Sequence, residues 1–389
     1  LRREENESNR IVGGMGGLVV TINAGSSSVR LGAFRAAAGG SGLEKVAGRR
    51  ENTTERRREL LEEFLAGGGI GRPSAVAHRV VHGGPNLRRS CRVGPSEEAE
   101  IRRLTELAPL HQPPALEWIE AARETLGDGV PQIAAFDTSF FAGLPGAASR
   151  YALPAEWSRR EEVRRYGFHG LAHRAMWERW IELHPGTPHG GRVITLQLGS
   201  GCSAAAIEDG RPLDTSMGFS PLEGLAMATR SGDVDPELVL HLQKALGLSP
   251  DQMREALNRR SGLLGMSGTS ADVRDLLADA RREAGEAVDL YVHRIRKTIG
   301  AYLAVLGGCN GIVFGGGVGE HVPEIRKRAI EGMEWCGVSI DEDVNRRTMG
   351  SEGRISKPAK GVEVWVVPVD EAAILAREAF AVLAEGAET

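Results

Sequence analysis

Lysine is nearly missing from this chain. Six of its 48 basic residues are lysine and the rest are arginine, a bias that GC-rich coding explains without any function. Cysteine is equally sparse. Cys91, Cys202, Cys309 and Cys336 lie far apart, with no CxxC or Cys/His ligand spacing. Neither a structural zinc nor a disulfide framework is indicated, and a reducing, cytoplasmic compartment fits. No run of 18 apolar residues occurs, and the charged start LRREENESNR lacks the apolar centre of a secretory signal, so a soluble protein without a membrane partner is expected. Charge of one sign is also lacking: 48 basic residues against 52 acidic ones give a net −4, too little to draw the chain to nucleic acid. There is no GxxxxGK[ST] loop, and no GxGxxG fingerprint in its usual unit, which disfavours Walker-type ATPases.

What is present is a near-repeat. Residues 18–34 (LVVTINAGSSSVRLGAF) return 174 positions later as residues 192–207 (RVITLQLGSGCSAAAI), aligning Thr21, Gly25, Ser26 and Ser28 with Thr195, Gly199, Ser200 and Cys202. Each copy reads as a strand, a turn of small residues and a second strand, whose turn amides can close on a phosphate. The echo continues: AVAHRVVHGG (75–84) answers NGIVFGGGVG (310–319), and QIAAFDTSF (132–140) answers VEVWVVPVDEA (362–372), with Asp137 and Asp370 at the strand ends. Three matching pairs in one order point to a duplicated α/β unit, and 389 residues with 41% hydrophobic content can fill two cores.

The periodicity predicts helices at 51–66, 114–126, 271–306, 322–335 and 370–384. An N-terminal domain is expected over 17–150, joined by a C-terminal helix (373–389) that packs back on it, and a second domain over 151–372. Residues 1–16 read as a flexible extension, with Met15 a plausible start. Glycine, at 51 residues, concentrates at strand ends, where ligands sit in open α/β sheets.

Several residues suit phosphate chemistry, each with a plainer reading beside it. Gly25–Ser28 with Asn23 and Arg30 suits phosphate oxygens and a hydrated Mg²⁺; a tight hairpin is the alternative. Arg79 in HRVVHGG and Arg230 in TRSGD suit a carboxylate and a transferring phosphoryl group; structural ion pairs are the alternative. His169 in YGFHG offers a hydrogen-bond donor or a packing residue. Asp137 and Glu371 are hard oxygen ligands or helix caps. The amides of GGGVGE (315–320) can lie against a nucleotide.

Taken in order, NAGSSSVR, HRVVHGG, LAPLHQPP, FDTSF, RRYGFHG, SMGFSPLEGL, TRSGDVDP, GGGVGEH and PVDEA strongly resemble the acetate kinase family. The resemblance implies a duplicated RNase H-like fold of the actin, Hsp70 and sugar kinase type, with an active-site cleft between two domains. It implies a homodimer and Mg²⁺-dependent (Mn²⁺ possible) reversible phosphoryl transfer from ATP to acetate, giving acetyl phosphate and ADP. On that pattern Arg79 and Arg230 bind the carboxylate and the phosphoryl group in flight, His169 assists its oxygens, and Asp137, Glu371 and Asn23 organise the metal. Val81, Leu110, Phe168 and Pro221 wall the acyl pocket together with Arg79. Nucleotide contacts fall on Arg30, Gly199, Ser200, Gly201, Asp272, Val273, Arg274, Gly317, Val318, Gly319 and Glu320. The chain departs from the pattern where HLGNGAS becomes QLGSGCS (197–203), where Arg30 replaces lysine, where Leu171 and Ala172 replace a Thr-Ser pair, and where Val273 replaces an aromatic. A propionate, butyrate or pyrophosphate-using kinase, or a non-catalytic nucleotide-binding switch, remains the alternative.

Overall fold

The computed structural model describes residues 17–386, apart from 26–27, 38–41, 54, 68 and 358–360. The expected extension at 1–16, and Ser26 and Ser27 of the serine run, therefore lie outside the described residues.

The chain forms two compact units, one ending at Ala142 and resuming at Asp370, the other spanning Gly143–Val369. The first is built on six strands, β1 (Leu18–Ala24), β2 (Val29–Ala36), β3 (Leu43–Glu51), β4 (Ala75–Val80), β5 (Cys91–Arg92) and β6 (Gln132–Phe136), in the order β3-β2-β1-β4-β6-β5. The second has β7 (Arg192–Leu198), β8 (Cys202–Glu208), β9 (Arg211–Thr215), β10 (Gly311–Gly315), β11 (Gly353–Arg354) and β12 (Glu363–Val366), in the order β9-β8-β7-β10-β12-β11. Each is an antiparallel meander of three strands, continued by two parallel strands and closed by a short antiparallel edge strand. The two sheets share one topology, which is the signature of a duplication.

Register corrects one detail of the repeat. The first hairpin closes at Ala24↔Val29 and the second at Leu198↔Cys202. The second turn is one residue shorter, so Cys202 is the counterpart of Val29 rather than of Ser28. Its side chain is buried in the strand, where its Sγ meets the Tyr291 hydroxyl at 3.2 Å.

Strand parity divides each unit into two faces. On β1, Leu18, Val20 and Ile22 join Leu60, Leu61 and Phe64 of the helix Arg57–Gly67 and Trp118 and Ala122 of the helix Gln112–Leu126 in one core. The other face of this sheet is covered by the helix Glu371–Glu385, which packs on β1, β4, β2 and β6. In the second unit the helix Gly170–Leu183 packs on β7 and β10, with Met176 and Trp180 against Val193, Val313 and Val367. The helix Arg282–Leu306 packs on β8, β7 and β9. Each sheet is thus covered by the helix that follows the other sheet's last parallel strand.

The expected helix at 271–306 is two helices, Val273–Ala278 and Arg282–Leu306. Between them the Asp279 carboxylate accepts from the Arg281 amide at 3.0 Å and pairs with its guanidinium, an Asx-type turn that competes with helical continuation. The helix expected from residue 51 starts at Arg57, and Glu51 is instead the last residue of β3, paired with Val29.

Two fully buried histidines are held neutral. Burial lowers His78 to about 4, against a partly opposing hydrogen bond with Gln132, and lowers His173 to about 3. Between pH 6.5 and about 4 the unfolded chain binds a proton at each that the folded chain does not, so stability rises with pH there and is lost on acidification. We expect the free energy of unfolding in denaturant titrations to fall between pH 7 and pH 5. The slope should be about 1.4 kcal/mol per pH unit for each histidine once its unfolded form is charged. An unchanged value at pH 5 would show that neither histidine is held neutral.

Candidate active site

In the first unit, parity and register gather one group. β1 pairs with β4 as Thr21↔Ala77, and β4 with β6 as Arg79↔Ala135. Continuing each strand by two residues places Asn23, Arg79 and Asp137 on the same face at the carboxyl ends of three adjacent strands. That face is the one covered by the helix Glu371–Glu385. Asp137 is 1% exposed and takes the Arg79 guanidinium in a two-pronged grip, Nε at 3.0 Å and Nη2 at 2.6 Å. Arg79 Nη1 donates to Asn23 Oδ1 at 3.2 Å and lies 3.6 Å from Glu371, while Asn23 Nδ2 donates to Glu371 Oε2 at 2.5 Å. Burial alone would lower the Arg79 pKa, but the Asp137 and Glu371 carboxylates outweigh it and raise it, so the guanidinium is permanently charged. Val81 is buried just beyond β4, Leu110 is half-buried, and Arg30 is exposed on β2 opposite Asn23 in the register.

In the second unit the β7–β8 turn is the focus. A Cβ on Gly201 would lie 3.1 Å from the Cε1 and Nε2 atoms of His169 and 3.6 Å from Arg230 Nη1, and the Gly199 Cα is turned towards the amide of Gly317. The carbonyl of Ser200 accepts from the amide of Ala228, two residues before Arg230. The Met227–Arg230 turn is fastened from behind by Gly262, whose φ of +62° and 2.2 Å approach of a would-be Cβ to the Met227 carbonyl admit only glycine. Arg230 Nη1 donates to the Pro221 carbonyl at 3.2 Å. His169 caps the helix Gly170–Leu183 from the left-handed region, φ 56° and ψ 28°, a conformation that costs a non-glycine residue about 1–3 kcal/mol and is concentrated at functional sites. Phe168 beside it is buried.

The glycine run after β10 is also built tightly. Glu320 accepts from the amides of Gly316 at 2.9 Å and Val369 at 3.1 Å, so its carboxylate fastens the loop. Gly317 is exposed, with open space where a side chain would be, while Val318 is half-buried and Gly319 buried. Asp272 caps the helix Val273–Ala278 and pairs with Arg274, leaving Val273 at 1% exposure in the core.

Sequence reasoning missed several residues here. Arg326 is fully buried and donates to five neutral oxygens, the carbonyls of Gly319, Glu320, Asn345 and Thr348 and Asn345 Oδ1; burial lowers its pKa to about 10. It ties the end of the glycine run to the chain at 345–348. Thr195, Ser203 and His173 form a buried hydrogen-bonded chain ending on His169. The four-residue spacing of His169 and His173 at a helix start was the available signal. Gln197, by contrast, opens the QLGSGCS segment already noted as a departure from the family pattern; it lies next to Gly316, its Oε1 buried without a hydrogen-bond partner among the described residues.

Among the described residues no three His, Cys, Asp or Glu side chains form a metal cluster. Asp137, Glu371 and Asn23 nonetheless offer hard oxygens in one group, which fits Mg²⁺, an ion commonly held by one or two carboxylates, waters and substrate phosphates.

The comparisons agree with this architecture. The model of the acetokinase family matches residues 70–377. The chain is 46% identical to acetate kinase of Chloroherpeton thalassium over 311 residues, covering 79% of this chain and 75% of that one. It is 46% identical to acetate kinase of Solibacter usitatus over 308 residues, covering 78% and 74%. The crystal structure of Porphyromonas gingivalis acetate kinase superposes with a TM-score of 0.82 at 36% identity, covering 94% of this chain and all of that one. A propionate kinase from Francisella tularensis superposes at 0.83 with 30% identity, covering 93% and 98%. The fold is the duplicated RNase H-like one, and the chain belongs to the acetokinase family and is a kinase.

Proposed function

We propose that this chain catalyses reversible, Mg²⁺-dependent transfer of the γ-phosphoryl group of ATP to acetate, giving acetyl phosphate and ADP. A carboxylate oxygen attacks the γ-phosphorus in line, and the O–P bond forms as the bond to the β–γ bridging oxygen breaks. Acetate is already ionised at neutral pH, so no proton has to be removed and no base is required. The protein's task is positioning and charge neutralisation. The observation that carries the reading is that His169 and Arg230, a donor and a fixed cation, both border Gly201 at the β7–β8 turn.

In this reading Arg79 and Arg230 bind the carboxylate and the moving phosphoryl group, and His169 donates to one of its oxygens. Phosphates of the nucleotide lie against the amides of Gly199–Gly201 and of the glycine run at Gly317. Asp137, Glu371 and Asn23 would hold Mg²⁺ or its waters, and the ion supplies neutralisation of phosphate charge. Val81, Leu110, Phe168 and Pro221 face the acyl group. One methylene is worth about 1–3 kcal/mol in such a pocket, so propionate is expected as a slower second substrate.

Trapping acyl phosphate with hydroxylamine, with acetate, propionate or butyrate against ATP or pyrophosphate, tests the reading. Product is expected with acetate and ATP, and chelation of Mg²⁺ should abolish it. Product from no pairing would leave a nucleotide-binding switch. Arg230→Ala should lower kcat by about 10³-fold or more, since a single arginine at a transferring phosphoryl group contributes that much. Arg230→Lys should recover little of it, because an ammonium lacks the planar fork. A near-normal rate in either variant would remove Arg230 from the chemistry.

The active form is proposed to be a homodimer. The helix Pro236–Leu246 has no buried residue, and Leu238, Leu242 and Leu246 fall on one exposed stripe at i, i+4 and i+8. Light scattering should give twice the 41.7 kDa chain mass, and Leu242→Glu with Leu246→Glu should shift it towards the monomer. Unchanged scattering from the double variant would place the interface elsewhere.

A further inference from the structure

We infer that Thr195, His173 and Ser203 are positioning residues that fix His169 in the neutral tautomer whose proton is on Nε2, the nitrogen facing Gly201. The inference deepens the role given to His169 above and rests on it only for its catalytic consequence.

The chain of contacts is continuous. Thr195 Oγ1 lies 2.7 Å from His173 Nδ1, His173 Nε2 lies 2.7 Å from Ser203 Oγ, and Ser203 Oγ lies 2.9 Å from His169 Nδ1. Thr195, His173 and Ser203 are each fully buried. They come together for the same reason as the group in the first unit. Gln197 pairs with Ser203 and Thr195 with Ala205, so parity points Thr195 and Ser203 towards the helix that carries His173.

Two directions of donation are possible along such a chain, and the hydroxyl at its far end selects one. His173 is neutral, so one of its nitrogens donates and the other accepts. If its Nδ1 donated, the Thr195 hydroxyl proton would have no acceptor in a buried site, because His173 is the hydroxyl's hydrogen-bond partner among the described residues. An unmade bond of that kind, in a site closed to water, disfavours that direction. Thr195 therefore donates to His173 Nδ1, His173 Nε2–H donates to Ser203, and the Ser203 hydroxyl donates to His169 Nδ1. His169 Nδ1 then accepts, and its proton is on Nε2. A neutral imidazole so held is a hydrogen-bond donor towards the Gly201 side without first becoming charged.

The first unit serves as an internal comparison. Thr21 occupies the strand position equivalent to Thr195, yet its buried hydroxyl has no hydrogen-bond partner among the described residues, and the covering helix Glu371–Glu385 contains no histidine. The threonine is common to both halves, and the relay is present in one.

The tautomer is read directly from two-bond ¹H–¹⁵N correlation spectra of the ligand-free full chain at neutral pH. The expected result is His169 protonated on Nε2, with Nδ1 as acceptor. Ser203→Ala should give a mixed tautomer and lower kcat about tenfold, the worth of one hydrogen bond in the transition state, with KM for acetate changed less than about twofold. Ser203→Thr, which keeps the hydroxyl, should restore both. Nδ1–H in the parent protein, or an unaltered tautomer in Ser203→Ala, would overturn the inference. Nε2–H in the parent with normal turnover in His169→Ala would leave the relay standing and remove the catalytic role assigned to His169.

Discussion

The alternation of side chains along a β-strand is the constraint on which both halves of the molecule depend. A strand that is buried on two faces must send every second residue to one helix and every other residue to another. On β1 this divides Leu18, Val20 and Ile22 from Thr21 and Asn23. On β7 it divides Ile194, Leu196 and Leu198 from Thr195 and Gln197. The apolar set fixes the register, since a slip by one residue would turn a polar residue into each apolar core. Once the register is fixed, the polar set has no freedom. Asn23, Arg79 and Asp137 meet Glu371, and Thr195 and Ser203 meet His173, because three neighbouring strands and one helix leave them no other place.

The two halves share a topology and have diverged in chemistry. Following the registers, the positions that are Arg79 and Asp137 in the first unit are Gly315 and Val369 in the second. One half carries charge at these strand ends, while the other carries a buried glycine and a half-buried valine whose amide is taken by Glu320, so the fixed charges at these positions belong to the first unit alone. The charged half needs its closed network. Arg79 and Asp137 are removed from water together, and a buried charge left without its partner typically costs 3–5 kcal/mol. Asn23 accepts from the other terminal nitrogen of the guanidinium, and Glu371 lies 3.6 Å from it as a second counter-charge.

The duplication was legible because hairpins leave a local record: β-branched runs flanking small turn residues recur at one offset. The helices Arg57–Gly67 and Gln112–Leu126 were legible from their apolar stripes, and the family from nine short motifs. Asp370 shows where such reading stops. In the sequence it mirrors Asp137, but β12 ends at Val366 and Asp370 caps the last helix by accepting from Ala372 and Ala373, whereas Asp137 grips an arginine. The one-residue contraction of the second turn was hidden for the same reason, since only pairing reveals it. Arg326 was invisible because its partners are carbonyls, which every residue carries. The helix Pro236–Leu246 was passed over although Asp235, Pro236 and Gly247 mark its ends clearly.

The exchange of covering helices has a consequence for how the chain is made. The sheet of β1–β6 is complete once Phe136 has been synthesised, but one of its faces is covered only by the helix Glu371–Glu385. On the ribosome that face, with its arginine and buried asparagine, must wait for the whole of the second unit to be translated. The first unit is therefore completed only after the second has been translated, although its sheet comes first in the chain.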